Sequence, residues 1–301
     1  MLKTSFKYFG RVVQMGSIRA AADSLNVAQS AVSRQIQSLE RDFGGHLFER
    51  RARGVVLTPM GETLYRSVRD ATFQVERIRS EIDALQGLRR GHVRLHCVES
   101  VVSHVVSAAL DRFRAKYPGV TFEVFSGTSN EIARSVSRGE VEIGLVFTRP
   151  PTPDIRVVYR RREPLLAIMK ADHKLIKARD LSLAQIAGWP TALPRVASGS
   201  RQLIDAACAK AGVDLAPCIE TNSMELLKRF ALSGQGVTFL SRLTCIEDLN
   251  SGALVAKRLI DQTMNSGTLE LITLAARKLP IAAEEFLVVI RREIEQLPIL
   301  K

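Results

Sequence analysis

The sequence predicts a protein of two parts: an all-α module with a winged helix-turn-helix and a long coiled-coil helix, then an α/β module of two lobes. In the first 85 residues, apolar side chains recur at helical spacings of three and four, whereas later segments alternate between strand and helix patterns. Residues 1–90 hold 15 basic and 9 acidic side chains, against 28 and 22 in residues 91–301. We therefore expect a basic, polyanion-binding module joined to a module with another task.

The composition is that of a folded protein with two or three domains. The chain has 301 residues, a formal net charge of +12 and 46% hydrophobic residues. No apolar run is longer than the five residues from Phe286 to Ile290, so we predict no membrane span. Because no signal-type apolar block lies near residue 1, we expect a cytoplasmic protein. The four cysteines form no Cys-x-x-Cys pair, which argues against a disulfide framework or a zinc ribbon.

The N-terminal segment has the pattern of a helix-turn-helix. Residues 2–13 carry one apolar stripe that Gly16 ends, and Ser17 is placed to cap a second helix over 18–25. Asn26 suits a left-handed turn before a third helix. The expected buried side of that helix is Val32, Ile36, Leu39 and Phe43. Its outer side presents residues that can reach phosphates and base edges, namely Gln29, Ser30, Ser33, Arg34 and Gln37.

An arginine-rich turn follows the third helix. Residues 47–57 have the pattern of two short extended pieces around this turn, which indicates a wing. Three clustered arginines are often a solvated surface turn, but directly after a helix-turn-helix they favour contact with flanking phosphates or the minor groove. The residues expected at DNA are Ser17, Arg19, Gln29, Ser30, Ser33, Arg34, Gln37, Arg50, Arg51 and Arg53.

A long helix is predicted after the wing. Thr58-Pro59 is a helix start signal, and apolar residues then repeat at alternating spacings of four and three. The series is Leu64, Val68, Ala71, Val75, Ile78, Ile82 and Leu85. The alternative is that this stripe packs against its own domain. A helix of roughly 30 residues is about 45 Å long, which exceeds a small domain, so we expect the stripe to form the seam of a homodimer.

This ordered set of features resembles the DNA-binding region of LysR-type transcriptional regulators. The segments that carry the likeness are Ser17 to Ala22, Gln29 to Ile36, Leu47 to Arg50 and Leu57 to Glu62. Gly44-Gly45-His46 departs from the family, which more often has one glycine and a bulkier residue there. The resemblance implies a sequence-specific regulator of transcription whose partners are double-stranded promoter DNA, a small organic effector and RNA polymerase. It also implies a homotetramer built from two dimers.

From His92 onward, strand and helix patterns alternate, which predicts parallel sheets in two lobes. The last strand and helix, over 270–275 and 281–296, are placed to return to the first lobe. By resemblance, this part is a periplasmic-binding-protein-like effector domain. The expected domains are 1–58 for the winged helix-turn-helix, 59–87 for the dimerising linker helix, 88–91 for a hinge and 92–301 for the effector domain. Within the last, lobe I covers about 92–162 and 266–301, and lobe II covers about 163–265.

The larger module lacks the sequence motifs of common enzymes. It has no glycine-rich dinucleotide or phosphate loop and no nucleophile elbow, and its histidines have no metal-ligand spacing. We therefore predict a protein that is not an enzyme and has no catalytic residue, cofactor or metal. A non-catalytic small-molecule binding protein is the alternative from another class.

Ligands of open α/β sheets bind beyond the carboxyl ends of the strands, where helices begin. By resemblance, Ser100, Thr128 and the loop at Pro194-Arg195 hold the effector, although helix capping alone also explains Ser100 and Thr128. Glu99 would repel an acid unless it points away or unless the effector also carries an amine or a hydroxyl. We expect a polar or anionic effector. Its predicted contacts are Ser100, Thr128, Phe147, Arg149, Pro194, Arg195 and Arg201.

Two cysteines leave a thiol-based redox sensor open as an alternative. The peroxide-sensing branch of the family oxidises two cysteines in the part of the second lobe where Cys208 and Cys218 lie. However, Cys208 falls on the apolar side of a predicted helix, where a free cysteine acts as a small hydrophobe. Of its neighbours in sequence, only Lys210 would lower the pKa of its thiol.

Overall fold

The computed structural model describes residues 3–51, 54–85, 90–275 and 277–297, without the side chains of residues 76, 79, 80 and 83–85. The chain divides into two compact units, Met1–Leu85 and Gln86–Lys301. Within the described ranges, no helix combines the length and the apolar character that a membrane span requires.

The first unit is a winged helix-turn-helix followed by a long helix, as the sequence predicts. Its elements are α1 (Thr4–Met15), α2 (Ile18–Leu25), α3 (Gln29–Phe43), β1 (Phe48–Arg51), β2 (Gly54–Leu57) and α4 (Pro59–Leu85). Gly16, Asn26 and Gly44 end the first three helices in the left-handed conformation, with φ of 61°, 54° and 74°. Ser17 caps α2 by accepting a hydrogen bond from the backbone N–H of Ala20.

The apolar stripes of the three helices meet in one core. It includes Phe9, Val12, Val32, Ile36 and Leu39, together with Leu47 of the wing and Leu64 and Val68 of α4. The prediction that Phe43 belongs to this buried side is wrong, because its side chain is 48% exposed. Phe43 is the last residue of α3, and Gly44 turns the chain away directly after it. The apolar stripe of α3 therefore extends one turn beyond the part of the helix that packs in the core.

The wing is held against the turn between α1 and α2. The backbone N–H of Val55 donates to the carbonyl of Gly16 at 2.8 Å. A Cβ at Gly54 would lie 2.2 Å from that same oxygen, so this close approach requires glycine. The wing is thereby fixed beside the start of the helix-turn-helix.

The second unit consists of two lobes, each with a five-stranded sheet. Lobe I contains β3 (Gly91–Cys97), β4 (Val120–Ser126), β5 (Ile143–Phe147), β6 (Ile155–Arg162) and β12 (Thr268–Leu274), with helices α5 (Ser107–Lys116), α6 (Ser129–Ser137) and α11 (Ile281–Gln296). Lobe II contains β7 (Leu166–Lys170), β8 (Thr191–Pro194), β9 (Ile219–Thr221), β10 (Val237–Leu240) and β11 (Leu254–Lys257), with helices α7 (Leu183–Ile186), α8 (Gly199–Ala211), α9 (Met224–Leu232) and α10 (Ile246–Asn250).

The sheets are mixed, which corrects the prediction of parallel sheets. Their strand orders are β4-β3-β5-β12-β6 and β11-β7-β10-β8-β9. Strand β3 pairs in parallel with β4 and β5, whereas β12 is antiparallel to β5 and β6. In lobe II, β7 is antiparallel to β10 and β11. As predicted, the late strand β12 and the helix α11 return to lobe I, and β12 enters its sheet from lobe II and so runs against β5.

The helical segment that follows β3 is not a continuous α-helix. Glu99–Val101 forms a 3-10 turn and Val102–Val106 a π-helical turn, and regular α-helix begins only at Ser107. Glu99 and Ser100 therefore lie in a tight turn that directly follows β3.

The chain crosses between the lobes twice, and the two crossing segments are bonded to each other. The backbone N–H of Glu163 donates to the carbonyl of Gly267 at 2.8 Å, and that of Leu165 donates to Met264 at 2.9 Å. A Cβ at Gly267 would lie 2.4 Å from the Glu163 carbonyl oxygen. The connection between the lobes is thus made of two chain segments that are joined to each other by backbone hydrogen bonds.

A buried carboxylate lies at this connection. The side chain of Glu163 is 4% exposed, and its carboxylate lies 3.8 Å from Arg161. Burial raises the pKa of Glu163 to about 7, against opposing effects of Arg161 and of backbone N–H groups at 242 and 243. The folded protein therefore keeps a proton on this group at pH values where the unfolded chain has lost it.

We expect Glu163→Gln to remove a pH dependence of stability. Between the usual glutamate pKa and about pH 7 the folded state binds one more proton than the unfolded state, so the free energy of unfolding falls as pH rises, by about 3 kcal/mol in total. The glutamine variant should match the parent near pH 4.5 and exceed it at pH 8. Urea unfolding at both pH values measures this, with the exposed Glu247→Gln as control. Equal pH slopes in parent and Glu163→Gln would contradict the expectation.

Candidate functional site

The outer side of α3 is free to contact a ligand. Gln29, Ser30, Arg34 and Gln37 are exposed and Ser33 is half-buried, while Val32, Ile36 and Leu39 hold the opposite side in the core. Within the described residues, the side chains of the five polar residues have no hydrogen bond or ion pair. Amide, hydroxyl and guanidinium groups in this arrangement are the usual readers of base edges in the major groove.

The wing adds positive charge beside this helix. Arg50 and Arg51 lie in β1 and are exposed, and the one ion pair of Arg51 among the described residues is a long one, of 3.9 Å, with Glu49. Arg19, near the start of α2, is also exposed. Arg53 lies outside the described residues. Ser17 is engaged as the cap of α2, so its hydroxyl already accepts one hydrogen bond.

The glycine-rich turn at Gly44-Gly45-His46 leads into the wing without disturbing its attachment. A Cβ at Gly45 would lie 2.8 Å from the terminal methyl carbon of Met60, so the second glycine makes room for that side chain. The N–H of Leu47 donates to the carboxylate of Glu40 at 2.9 Å, and the hydroxyl of Thr58 donates to the carbonyl of His46 at 2.7 Å. The departure from the family pattern thus coincides with a well-bonded turn.

The heptad stripe of α4 has two different environments. Leu64 and Val68 are buried in the core of their own unit. For this first half of the stripe, the structure agrees with the alternative prediction, in which the stripe packs against its own domain. Further along, Ala71 is exposed and Val75 half-buried, and the side chains of Ile78 and Ile82 are 49% and 54% exposed. The side chain of Leu85 lies outside the described set. The second half of the stripe is therefore an apolar surface without a cover within the described chain.

A cavity of about 800 Å³ lies between the two lobes, at the carboxyl ends of their strands. Lobe I lines it with the turn after β3 and the start of α6, and lobe II with the loop from β8 to α8. Of the predicted effector contacts, this cavity brings together Ser100, Thr128, Phe147, Pro194 and Arg195.

The two hydroxyl residues differ in what remains free on them. Thr128 caps α6 in a capping box: its hydroxyl donates to Glu131 at 2.8 Å and accepts from the Glu131 N–H at 3.3 Å. Ser100 is half-buried, and its hydroxyl has no hydrogen-bond partner among the described residues. Ser100 can therefore both donate to and accept from a ligand, whereas Thr128 offers only a remaining lone pair.

Of the three predicted arginines, only Arg195 lines the cavity. The side chain of Arg149 is 6% exposed and pairs with Glu270 at 3.2 Å, so the structure does not bring it to the site. Arg201 donates to Asp205 at 2.7 Å, to Glu220 at 2.9 Å and to the Pro194 carbonyl at 3.1 Å. Its guanidinium holds the wall of the cavity together and is already balanced by two carboxylates.

Phe147 and Gly199 form the contact between the lobes at one end of the cavity. Phe147 belongs to lobe I but is 5% exposed and packs into the core of lobe II. A Cβ at Gly199, the first residue of α8, would lie 2.4 Å from the Phe147 carbonyl oxygen and 2.2 Å from that of Thr148. The backbone of α8 in lobe II therefore lies directly against the backbone at the end of β5 in lobe I, with no room for a side chain between them.

The structure also places residues at the cavity that sequence reasoning missed. These are the carboxylates Glu131 and Glu220 and the polar residues Asn222, Ser241 and Thr244. Ser241 and Thr244 follow β10, so the same strand-end rule that indicated Ser100 applies to them. The strand β9 that carries Glu220 is only three residues long, and its direction is set by pairing with β8.

Cys208 and Cys218 of lobe II have different environments. Cys208 is buried in α8, and burial raises the pKa of its thiol to about 11, with Asp205 adding to the effect. Cys218 is exposed, and its thiol donates to the carbonyl of Thr191 at 3.2 Å. A thiol with so high a pKa as that of Cys208 is protonated at neutral pH and is a poor nucleophile towards peroxide.

Two family models match the chain. Residues 4–62 match the bacterial regulatory helix-turn-helix protein, lysR family, and residues 86–295 match the LysR substrate binding domain. This defines a DNA-binding regulator of transcription with an effector-binding domain. The chain belongs to the LysR family of transcriptional regulators.

Named relatives agree with this assignment. The HTH-type transcriptional regulator CbbR of Rhizobium meliloti (strain 1021) is 30% identical over 251 residues, which cover 83% of this chain and 80% of CbbR. The HTH-type transcriptional activator CmpR of Synechocystis is 25% identical over 78% of this chain and 77% of CmpR. Both are named as regulators of transcription.

Solved structures share the fold. A full-length, singly substituted OxyR from Pseudomonas aeruginosa has a TM-score of 0.72 at 17% identity, and the match covers 98% of this chain and 95% of OxyR. Full-length CbnR complexed with its target DNA has a TM-score of 0.60 at 20% identity, with 97% and 100% covered. These likenesses confirm the predicted architecture of a helix-turn-helix followed by two α/β lobes.

Proposed function

We propose that this regulator binds promoter DNA as a dimer or a pair of dimers, and that a small polar or anionic molecule between its lobes controls that binding. The observation that carries the proposal is the cavity at the strand ends, where Ser100 and Arg195 offer a free hydroxyl and a free cation among the described residues. A cavity of about 800 Å³ lies within the range of small-molecule sites. The double crossing at Glu163 and Gly267 supports a change in lobe arrangement on binding.

Binding alone does not make a signal. A ligand shifts the balance between two lobe arrangements only by the difference in its affinity for them. Because Ser100 belongs to lobe I and Arg195 to lobe II, a ligand that contacts both gains most when the lobes are close together. This arrangement supports control through lobe closure.

A ligand screen with site variants tests this function. We expect thermal-shift screening of the full chain against small organic acids, amino acids and sugar phosphates to give a ligand whose affinity falls about tenfold or more in Arg195→Ala, because a charged hydrogen bond is lost. Ser100→Ala should weaken binding of the ligand as well. Arg179→Ala should not, because Arg179 is exposed on lobe II and does not line the cavity. A ligand that binds Ser100→Ala and Arg195→Ala as tightly as the parent would show that the site lies elsewhere.

We propose a division of DNA recognition between α3 and the wing. Arg34→Ala should relax base preference at one or two positions of the site, because a guanidinium on α3 can bind a guanine edge in two places. Arg50→Ala should weaken all sequences alike and lower the slope of log affinity against log salt by about one. Anisotropy titrations on a set of single-base variants at several salt concentrations measure both. Equal weakening of all sequences by Arg34→Ala, together with altered base preference in Arg50→Ala, would contradict this division.

A further inference from the structure

The ionisable residues that line the cavity are mostly acidic. Glu99, Glu131 and Glu220 are carboxylates, and Arg195 is the cation among the described lining residues. A site for a simple anion would have the opposite balance, because unpaired carboxylates repel an anionic ligand. The charge that the cavity offers a ligand therefore depends on which of the three carboxylates is balanced by a neighbouring group.

Two of the carboxylates are balanced by neighbours within their own lobe. Glu131 accepts hydrogen bonds from the N–H of Thr128 at 2.9 Å and from its hydroxyl at 2.8 Å, and these bonds hold the pKa of Glu131 below its usual range. It also lies in the first turn of α6, where the helix dipole favours negative charge. Glu220 pairs with Arg201 at 2.9 Å. Neither needs a ligand to offset its charge.

Glu99 is different. No Lys, Arg or His among the described residues lies within ion-pair distance of its carboxylate. Within the part of the chain that the structure describes, its carboxylate accepts one hydrogen bond, from the N–H of Met224 at the start of α9 in lobe II, and at 3.4 Å this bond is longer than the two bonds of 2.9 Å and 2.8 Å that Glu131 accepts. The side chain is exposed and follows β3 directly, beside the free hydroxyl of Ser100. Lobe I therefore offers a ligand one carboxylate and one hydroxyl.

Lobe II offers the complementary charge. Arg195 is exposed, and no carboxylate of the described chain lies within ion-pair distance of its guanidinium. Its backbone is fixed, because its N–H donates to the Thr221 carbonyl at 3.0 Å and its own carbonyl accepts from Ser198 at 3.0 Å. The start of α8 follows at Ser198–Gly199, with the first N–H groups of a 13-residue helix.

We infer that the effector is a small amino acid, an inference that rests on the effector site proposed above. Its ammonium group binds Glu99 and Ser100 on lobe I, and its carboxylate binds Arg195 and the start of α8 on lobe II. This assignment places opposite charges together on both walls, and the zwitterion adds no net charge to the cavity. Glu99 is then the residue that separates amino acids from acids of the same shape that lack the amine.

The two charges of such a ligand lie on different lobes. A bound amino acid would draw Glu99 and Arg195 together, and it would gain least when the lobes are apart. It therefore meets the requirement that an effector binds one lobe arrangement better than the other. A simple acid held by Arg195 alone would lack this preference.

Matched ligand pairs test the inference on the full chain. The probes are amino acids and the 2-hydroxy acids with the same side chains, such as alanine and lactate, aspartate and malate, or phenylalanine and phenyllactate. We expect calorimetry to give one amino acid or more that binds at least tenfold tighter than its hydroxy acid. In Glu99→Gln, affinity for that amino acid should fall about 10-fold to 100-fold, because a charged partner is lost, while affinity for the hydroxy acid changes less than about twofold.

Glu247→Gln is the matched control, because Glu247 is exposed, belongs to the same unit and lies away from the cavity. It should bind both members of each pair like the parent. The inference is overturned if hydroxy acids bind as tightly as amino acids, if Glu99→Gln behaves like Glu247→Gln, or if no amino acid binds. An organic acid or sugar phosphate that binds through Arg195 in the same calorimeter would leave the proposed function standing while the amino-acid inference fails.

Discussion

Ile78→Asp combined with Ile82→Asp should convert the protein to a monomer. Both side chains are about half exposed on α4, and they continue the stripe that begins with the buried Leu64 and Val68. In a paired helix, the two aspartates of each chain would face those of its partner and place like charges in an apolar seam. Because Ile78 and Ile82 are not part of the core of their own unit, the monomer should remain folded.

Sedimentation velocity measures the change in mass, and DNA titration measures its consequence. With one helix-turn-helix on the DNA instead of the two of a dimer, affinity should fall by about 10²-fold to 10⁴-fold. Thr63→Asp with Ser67→Asp adds the same charge to exposed positions of α4 outside the heptad series and should leave the sedimentation coefficient unchanged. A double isoleucine variant that sediments like the parent would place the stripe in some other contact.

Gly199→Ala should strongly destabilise the second unit. The added Cβ would lie 2.2 Å and 2.4 Å from two backbone carbonyl oxygens, those of Thr148 and Phe147. The Phe147 carbonyl is itself fixed, since it accepts a hydrogen bond from the buried Ser129 hydroxyl at 2.6 Å. Neither oxygen can move without breaking the packing between the lobes, so we expect a loss of about 3 kcal/mol or more in the free energy of unfolding.

Urea unfolding of the full chain measures this loss. Gly188→Ala is the matched control, because no atom lies within 4 Å of its added Cβ, and it should change the free energy of unfolding by less than about 0.5 kcal/mol. Equal stability of the two alanine variants would show that α8 and the end of β5 separate easily.

The N-terminal unit could be predicted closely because its signals are local. Gly16, Asn26 and Gly44 adopt the left-handed turns that their residue types favour, and the helical stripes between them form the core. The second unit could be predicted less completely. Strand β6 carries arginines at several positions and lies at a sheet edge, so no apolar alternation indicated it, and the antiparallel pairing of β12 depends on the chain returning from lobe II.

The candidate site shows the same limit. The strand-end rule, together with the family resemblance, led to Ser100, Thr128 and Arg195, and all three line one cavity. Arg149 was included wrongly. It forms an ion pair with Glu270, which lies on a strand more than a hundred residues later, so the sequence around Arg149 gives no sign of this pairing. Which charge remains available to a ligand is decided by such tertiary pairs, and spacing along the chain does not reveal them.

Control of specific DNA binding by a small molecule between the lobes can be measured in one assay. This is an anisotropy titration of the full chain on the DNA that flanks its own coding region, with and without the ligand that the screen identifies. We expect a salt-sensitive complex that is about 10³-fold or more tighter than on unrelated DNA, with an affinity or a DNA bend that the ligand changes in the parent and not in Arg195→Ala. Equal affinity for unrelated DNA, or a complex that the bound ligand leaves unchanged in both affinity and bend, would contradict this control.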